Sequence, residues 1–217
     1  MSLSLVRPSA TELKPRIVVF GVGGAGGNAV NNMIDAGLDP TVIIGNLIDQ
    51  HTNFIAGKSK IFVVEACEYR GSFLNIVPDI AIILNIEEDH LDYYKDLDEI
   101  RAAFLEFCRK IKKDGKLLVD LSLPSVGYVV NLLKKERSDI EIINYCNLTL
   151  KSCLSSKLPG MHNQSNAAAA CATAAAIGIS EEEARIQLAT FPGTWRRFEY
   201  RGKTKKGVLV YDDYGHH

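Results

Sequence analysis

The sequence has no excess of charge of one sign, since 25 Lys and Arg residues face 26 Asp and Glu residues. A chain with this balance creates no overall field that would draw it to nucleic acid or anionic lipid, so we expect neither partner. No apolar run reaches the roughly 18 residues of a membrane span, and the N-terminal residues lack the apolar stretch of a secretory signal. Five scattered cysteines without a C-x-x-C pair predict neither a zinc site nor a disulfide framework. These absences together predict a cytoplasmic protein.

Short, continuous apolar runs alternate along the chain with patterns of helical spacing. The runs predict strands at 16–20, 41–44, 61–65, 80–85, 116–120, 140–145 and 207–212. Helices are predicted at 28–36, 97–112, 125–136, 166–177 and 181–190, the last with Ser180 and Glu183 as a capping box. Residues 46–60 are predicted to form a loop with short strands. Strands that are apolar throughout are typical of parallel sheets covered on both faces, so we predict an α/β fold: a mostly parallel sheet flanked by helices in three layers.

A glycine-rich turn, GVGGAGG at residues 21–27, joins the first predicted strand to the first predicted helix. Glycines let backbone N–H groups approach an anion, and a helix start adds a positive dipole end. The phosphate-binding candidates are Gly23, Gly24, Gly26 and Gly27. The alternative is a tight strand–helix crossover packed for steric reasons. The turn lacks the Lys-Ser/Thr pair of a Walker loop, and no acidic residue about 20 positions further on ends a clear second strand, as a dinucleotide site would require.

The sequence around this turn points to a particular protein family more specifically than the glycines alone do. Residues 12–38, ELKPRIVVFGVGGAGGNAVNNMIDAGL, resemble the N-terminal nucleotide-binding segment of the bacterial tubulin-like cell-division GTPases. The resemblance implies that the turn contacts nucleotide phosphates. That family's second signature, G-G-G-T-G-T-G, does not occur in the chain, so GTPase activity is not expected.

Two neighbouring predicted strands end in polar residues that could form a metal site. Glu65 ends one strand, and Asn85 ends the next and precedes an acidic stretch that contains His90. Ligands of open α/β sheets bind at the carboxyl ends of the strands, where carboxylates and an imidazole could hold Mg²⁺ against a phosphate. The alternative is a solvated acidic loop that caps the next helix. That alternative fits Glu87 and Glu88 better than it fits Glu65 and His90.

Residues 39–217 resemble the Mur ligase family, the ATP-dependent enzymes that add amino acids to the peptidoglycan precursor. The similarity is greatest to the branch that joins L-alanine to UDP-N-acetylmuramate, or to the related peptide-recycling ligases. The resemblance therefore implies ATP and Mg²⁺ as cofactors, and UDP-N-acetylmuramate and L-alanine as substrates. The matching stretches are DPTVIIG (39–45), EACEYRGSFLN (65–75), ILNIEEDHLDYY (83–94), LPGMHNQSNAAAA (158–170), FPGTWRRFEY (191–200) and VYDDYGHH (210–217).

The resemblance also implies roles for individual residues near the metal and the adenine. Glu65 and His90 would be catalytic residues that bind the metal bridging ATP and an acyl-phosphate intermediate, and Asn85 would support that site. The residues expected to contact the adenine end of ATP, just ahead of the alanine-rich helix, are His162, Asn163 and Asn166. Asparagines at a helix start are otherwise usually caps.

A further group of nucleotide contacts is implied near the end of the chain. One arginine of the Arg196–Arg197 pair would lie near the nucleotide and bind phosphate bidentately, with Arg197 as the catalytic candidate. Adjacent arginines are otherwise usually surface residues. Asp212 belongs to the D-D-Y-G-H-H signature that opens the family's C-terminal domain and is a further candidate for nucleotide binding.

The ATPase domain of this family opens with G-T-x-G-K-[ST]-[ST], and no such string occurs in the chain. We therefore predict a composite: a flexible leader (1–15), a strand–glycine turn–helix unit (16–38), a Mur ligase central domain (39–210) and a truncated start of the C-terminal domain (211–217). The glycine unit could replace the missing strand–P-loop–helix unit in the sheet. We expect a ligase fragment that is inactive alone. The alternatives are a non-catalytic nucleotide-binding module that uses the glycine turn and a scaffold that keeps only the fold.

Overall fold

The computed structural model describes residues 17–22, 38–48, 52–147, 160–191, 196 and 198–213. The strands in these ranges are β1 Ile17–Val22, β2 Thr41–Ile48, β3 Thr52–Ile55, β4 Ile61–Val64, β5 Ile80–Ile83, β6 Lys116–Val119, β7 Glu141–Asn144, β8 Glu199–Lys203 and β9 Leu209–Asp212. The α-helices are α1 Leu97–Arg109, α2 Pro124–Glu136, α3 Met161–Ala176 and α4 Glu181–Thr190, and short 3-10 helices span Tyr69–Asn75 and Tyr145–Asn147. None of the helices in these ranges has both the length and the apolar character that a membrane crossing requires.

Seven strands form one sheet in the order β3-β2-β4-β1-β5-β6-β7. All neighbouring pairs are parallel except β2 and β3, which are antiparallel. The central strand is β1, where Val19 pairs with Val63 of β4 on one side and with Ile80 of β5 on the other. The predicted mostly parallel α/β fold is thus confirmed. The strand before the glycine turn belongs to the same sheet as the strands of the Mur-like segment, whereas residues 23–37 lie outside the described residues.

Both faces of the sheet are covered, as the apolar strands predict. All four residues of β5 are buried. Ile80 and Ile82 pack with α3 and α4 on one face, and Ala81 and Ile83 pack with α1 and α2 on the other. Because side chains alternate along a strand, a strand that is apolar throughout supplies both cores at once. The result is the expected three-layer arrangement.

Helix α3 begins earlier than the sequence predicts. The alanine run suggested a helix over 166–177, but the helix starts at Met161, so His162, Asn163 and Asn166 lie within its first two turns rather than ahead of it. The prediction of its start was therefore wrong. Gly160 precedes the helix with φ of +107°, a backbone conformation that favours glycine, and it turns the chain into α3 before the alanines are reached. The small alanine side chains are buried and let α3 approach the sheet closely.

The C-terminal part of the described chain contains a small second sheet. Strands β8 and β9 pair in antiparallel fashion. The strand β9 was predicted, but β8 was not, because its sequence EYRGK has no apolar pattern.

Within residues 46–60, the predicted loop is shorter than expected, since β2 continues to Ile48 before β3 begins. The capping box of α4 is confirmed by hydrogen bonds in both directions between Ser180 and Glu183.

Candidate active site at the carboxyl edge of the sheet

The candidate site is built by the two chain segments that follow β4 and β5, the neighbours of the central strand. In parallel strands the carboxyl ends meet at one edge of the sheet, so these segments come together although they are distant in sequence. The segment after β4 contains Arg70 and Gly71 at φ of +53° and +68° within a 3-10 helix. The segment after β5 contains His90 at φ of +54°. Such conformations are uncommon for residues other than glycine and often occur at functional sites.

Glu68, Asp89 and His90 form a compact group at this edge. One ligand atom from each lies within 4.8 Å of the others. The His90 Nε2 atom is 3.7 Å from Glu68 Oε1 and 3.8 Å from Asp89 Oδ2, and all three side chains are half-buried. These separations exceed those of direct hydrogen bonds, but a divalent cation about 2.0–2.6 Å from each ligand atom could span them. Carboxylate oxygens suit Mg²⁺, and an imidazole is compatible with Mn²⁺ and Zn²⁺, so the donor set fits a divalent cation.

Glu65 lies in the same segment but makes a different contact. Its Oε2 atom accepts a hydrogen bond of 2.8 Å from the backbone N–H of Gly45, and its own N–H donates to the Ile43 carbonyl at 2.9 Å. Glu65 therefore joins the ends of β2 and β4. Of the two predicted metal ligands, His90 belongs to the compact group. Glu65 does not belong to it; the carboxylate of Glu68, three residues further on, faces His90 instead. Asn85 follows β5 and is exposed.

Two members of the compact group were among the carboxylates expected at this edge but were not singled out as metal ligands. Glu68 and Asp89 stand in the polar stretches after the strands, but the sequence offers several other carboxylates nearby. Their positions in the sequence could have drawn attention to them, because Asp89 directly precedes His90 and Glu68 directly follows the EAC sequence at the end of β4. Adjacency alone could not show which carboxylates face the imidazole.

Aromatic side chains support both segments. The Tyr69 hydroxyl donates a 3.0 Å hydrogen bond to Asp92, and this bond to a carboxylate raises the Tyr69 pKa. The Tyr94 hydroxyl donates to the Glu68 carbonyl at 2.6 Å, and burial raises the Tyr94 pKa. The backbone N–H groups of Tyr93 and Tyr94 donate to the His90 carbonyl at 2.8 and 2.9 Å. The two segments are therefore tied to each other around the metal-ligand candidates.

The first turns of α3 lie beside the small sheet. The exposed His162 ring stands edge-on to the Phe198 ring, with 6.2 Å between centroids, and Phe198 stacks on Tyr211 at 4.6 Å. Asn163 and Asn166 are half-buried in the same part of α3. These contacts bring the adenine-binding candidates close to the strands that follow the arginine pair.

Helix α3 is also tied to the seven-stranded sheet by a buried tyrosine. The Tyr145 hydroxyl lies 3.4 Å from the Ile83 carbonyl, to which it donates. It also shares a hydrogen bond with Ser165 of α3, and burial raises the Tyr145 pKa to about 12. The hydroxyl therefore remains protonated at neutral pH and can keep its role as a donor. It connects α3 to the carboxyl end of β5.

Arg196 and Asp212, both predicted to bind nucleotide, lie together in the structure. Arg196 Nε is 3.4 Å from one carboxylate oxygen of Asp212, and Arg201 Nη2 is 3.2 Å from the other. Glu199 accepts from the Arg196 backbone N–H at 3.0 Å and pairs with Arg201 at 3.1 Å. A phosphate that binds Arg196 through its guanidinium would compete with Asp212. The predicted residues Arg197, Gly23, Gly24, Gly26 and Gly27 lie outside the described residues.

Comparison with known proteins shows which family this chain resembles and which solved structures share its fold. Residues 46–147 match the Mur ligase middle domain family. The UDP-N-acetylmuramate–L-alanine ligase of Clostridium perfringens is 37% identical over 206 residues, an alignment that covers 85% of this chain and 45% of that enzyme. The murein peptide ligase of Psychrobacter arcticus has a similar fold, with a TM-score of 0.71 at 24% identity over 96% of this chain and 54% of that one. The MurF ligase of Thermotoga maritima in complex with ADP gives a TM-score of 0.67 at 18% identity, over 96% and 58%.

These matches confirm the resemblance to the Mur ligases. Residues 46–147 are a Mur ligase middle domain. The curated relatives of the chain are UDP-N-acetylmuramate–L-alanine ligases, and the chain spans about half the length of the relatives it matches. The resemblance of residues 12–38 to the tubulin-like GTPases stays a prediction.

Proposed function

We propose that this chain carries the ATP-handling part of a UDP-N-acetylmuramate–L-alanine ligase. It binds ATP together with Mg²⁺ at the carboxyl edge of the sheet. The observation that carries this proposal is the group of Glu68, Asp89 and His90, which stands at the ends of β4 and β5 on either side of β1. The glycine turn follows β1 directly in the sequence. A phosphate held by that turn and a cation held by the three side chains would share one edge of the sheet.

The proposed reaction of the whole enzyme has two steps. The carboxylate of UDP-N-acetylmuramate attacks the γ-phosphorus of ATP, and ADP leaves as an acyl phosphate forms. The amine of L-alanine then attacks the acyl carbon, which forms the amide and releases inorganic phosphate and a proton. Charge neutralisation and positioning of the phosphates supply most of the catalysis in phosphoryl transfer, and a Mg²⁺ ion would provide that neutralisation here.

The remaining predicted residues receive roles around the nucleotide. His90, Glu65 and Asn85 serve the metal end, together with Glu68 and Asp89. The adenine lies against the first turns of α3, where His162, Asn163 and Asn166 are found. The edge-on contact of His162 with Phe198 supports this arrangement, because it joins α3 to the residue that directly precedes β8 and follows the arginine pair. Arg196 or Arg197 binds a phosphate, and Asp212 binds the nucleotide nearby.

Ligation is not expected from this chain alone. The P-loop lysine of a Mur ligase has no counterpart in the sequence, and the glycine turn offers backbone N–H groups but no positive side chain. We therefore propose that Gly23, Gly24, Gly26 and Gly27 hold phosphate without completing the transfer. The second candidate function is a non-catalytic nucleotide-binding module. The central place of β1 in the sheet favours this second function. Because the glycine turn follows β1, it would begin at the middle of the carboxyl edge of the sheet.

Calorimetric titration of the purified chain with ATP tests this proposal. Saturable binding should require Mg²⁺, should be weakened by His90→Ala, and should be lost in a Gly24→Asp, Gly27→Asp double variant. Glu182→Gln, an exposed change in the first turn of α4, serves as the control and should bind as the unchanged chain does. An absence of heat at millimolar ATP would leave only the scaffold alternative. Release of ADP that requires both UDP-N-acetylmuramate and L-alanine would contradict the expected lack of turnover.

A further inference from the structure

The orientation of the His90 side chain is not set by the carboxylates that face it. Its Nε2 atom is 3.7 Å from Glu68 and 3.8 Å from Asp89, so neither contact is a direct hydrogen bond. An imidazole that binds a metal must present one nitrogen at a defined angle, and proteins usually fix that angle through a partner of the ring. The structure shows such a partner in an aromatic residue next to Glu68.

Tyr69 packs against the imidazole of His90. The two ring centroids are 4.9 Å apart and the ring planes are inclined by 44°. This geometry leaves the Nε2 atom directed toward Glu68 and Asp89 while the body of the imidazole is in contact with the tyrosine. The contact connects the segment after β4 with the segment after β5, which are distant from each other in the sequence.

Tyr69 is itself held in place by several contacts. Its hydroxyl donates to Asp92 Oδ2 at 3.0 Å. The Tyr93 ring is T-shaped to the Tyr69 ring, with 6.3 Å between the two centroids, and the Arg70 guanidinium lies over the Tyr69 ring, 6.0 Å from its centroid. Because Asp92 follows His90 by two residues, the hydroxyl bond fixes the tyrosine to the same loop that carries the imidazole. Ring contact and hydrogen bond thus form a two-point connection.

We infer that Tyr69 is a positioning residue whose ring, anchored on Asp92, holds the His90 imidazole in the orientation that binds a divalent cation. The inference rests on the proposed function, since it concerns the metal end of that site. Tyr69 acts through His90 and makes no contact with the ion. Hydrogen-bonded partners that orient a metal ligand typically change metal affinity by about 10–100-fold when they are removed. We expect the lower end of that range, because the site here is half-buried and two carboxylates remain.

The test is a titration of the chain with Mn²⁺, with the free ion measured by electron paramagnetic resonance. Tyr69→Leu removes the ring and should raise the Kd for Mn²⁺ about tenfold. Tyr69→Phe keeps the ring and should therefore keep most of the Mn²⁺ affinity of the unchanged chain. Tyr128→Leu changes an exposed tyrosine on α2 and should leave the Kd unchanged. Equal Kd values for the unchanged chain and Tyr69→Leu would overturn the inference.

A double-mutant cycle tests the anchoring by Asp92. Tyr69→Phe and Asp92→Ala break the same hydrogen bond, so the small rise in Kd that Tyr69→Phe causes in the unchanged chain should be absent in the Asp92→Ala background. Additive effects would contradict an anchoring role. In the metal-free protein, Tyr69→Leu should also shift the NMR signals of the His90 ring protons, which lie beside the tyrosine ring, and Tyr128→Leu should not. Unchanged signals would refute the ring contact.

Failure of the inference can be told apart from failure of the proposed function. His90→Ala should abolish specific Mn²⁺ binding if the metal site is correct. If His90→Ala and the unchanged chain bind Mn²⁺ equally, the metal site itself is refuted. If only His90→Ala loses binding and Tyr69→Leu does not, the metal site stands and the positioning role of Tyr69 is refuted. Should Tyr69→Leu fail to fold, the cycle of Tyr69→Phe with Asp92→Ala still decides the question.

Discussion

The 3-10 helix that follows Glu68 is anchored by one fully buried ring, and replacing that ring should loosen the candidate site. Phe73 has 0% exposure. Its ring stacks on Phe107 at 5.0 Å and stands edge-on to Phe104 at 5.2 Å, both in α1. Its backbone N–H donates to the Cys67 carbonyl at 2.9 Å, which closes the turn that contains Glu68. Phe73→Leu removes both ring contacts while it keeps an apolar side chain.

The expected cost follows from these two contacts. Each aromatic pair contributes about 0.5–1.5 kcal/mol beyond the burial of its area, so the loss of two pairs should lower the free energy of unfolding by about 1–3 kcal/mol. The smaller side chain also leaves unfilled space, which adds to the cost rather than reducing it. Phe54→Leu is the matched control, because Phe54 is half-exposed on the edge strand β3. That change should stay within about 0.5 kcal/mol.

Urea unfolding followed by circular dichroism measures both changes. The Mn²⁺ affinity of the folded Phe73→Leu variant should also fall, since the segment that carries Glu68 is less firmly held. If Phe73→Leu costs no more than Phe54→Leu, the ring cluster does not anchor this segment. If stability falls but Mn²⁺ affinity does not, Phe73 supports the core without shaping the site.

Three further predictions concern packing, capping and pH. Ala170→Leu should overpack the contact of α3 with the sheet and cost about 1–3 kcal/mol, while the same change at the exposed Ala175 should be nearly neutral, as urea unfolding of both variants will show. Ser180→Ala removes the capping box of α4 and should cost about 1 kcal/mol in the same assay; an unchanged midpoint would contradict it. Hydrogen bonds from Arg137 lower the pKa of Asp139 to about 2. The resulting stabilisation is present above the ordinary carboxyl pKa and is lost as pH falls through about 2. Asp139→Asn should therefore destabilise the protein at neutral pH, and the difference from the unchanged chain should shrink as the unfolding assay approaches pH 2; a difference independent of pH would refute this.

The central part of the fold could be predicted because its signals are local. The run IAII of β5 is apolar at every position and is buried at every position. The capping box of α4 is formed by residues three positions apart, so it can be found in the sequence. The strand β8 could not be found in this way, since its residues EYRGK pair with β9 through the backbone and have no apolar period.

The candidate site was predicted in its location but not in its detail. The rule that ligands bind at the carboxyl ends of parallel strands was sufficient to select the segments after β4 and β5. Which carboxylates face His90 depends on how those segments turn, including the positive φ angles at Arg70 and His90. The pairing of Arg196 with Asp212 likewise depends on the β8–β9 pairing, and β8 was not predicted. Contacts between distant segments were therefore the part that the sequence could not supply.

The most direct test of the proposed site compares ATP binding by two variants that lose the same charge. Glu68→Gln with Asp89→Asn removes both carboxylates that face His90, and Glu87→Gln with Glu88→Gln removes two exposed carboxylates from the same edge. In calorimetric titration with ATP and Mg²⁺, the first variant should lose Mg²⁺-dependent binding and the second should keep it. Equal binding by the two variants would contradict a nucleotide-bound metal at this group.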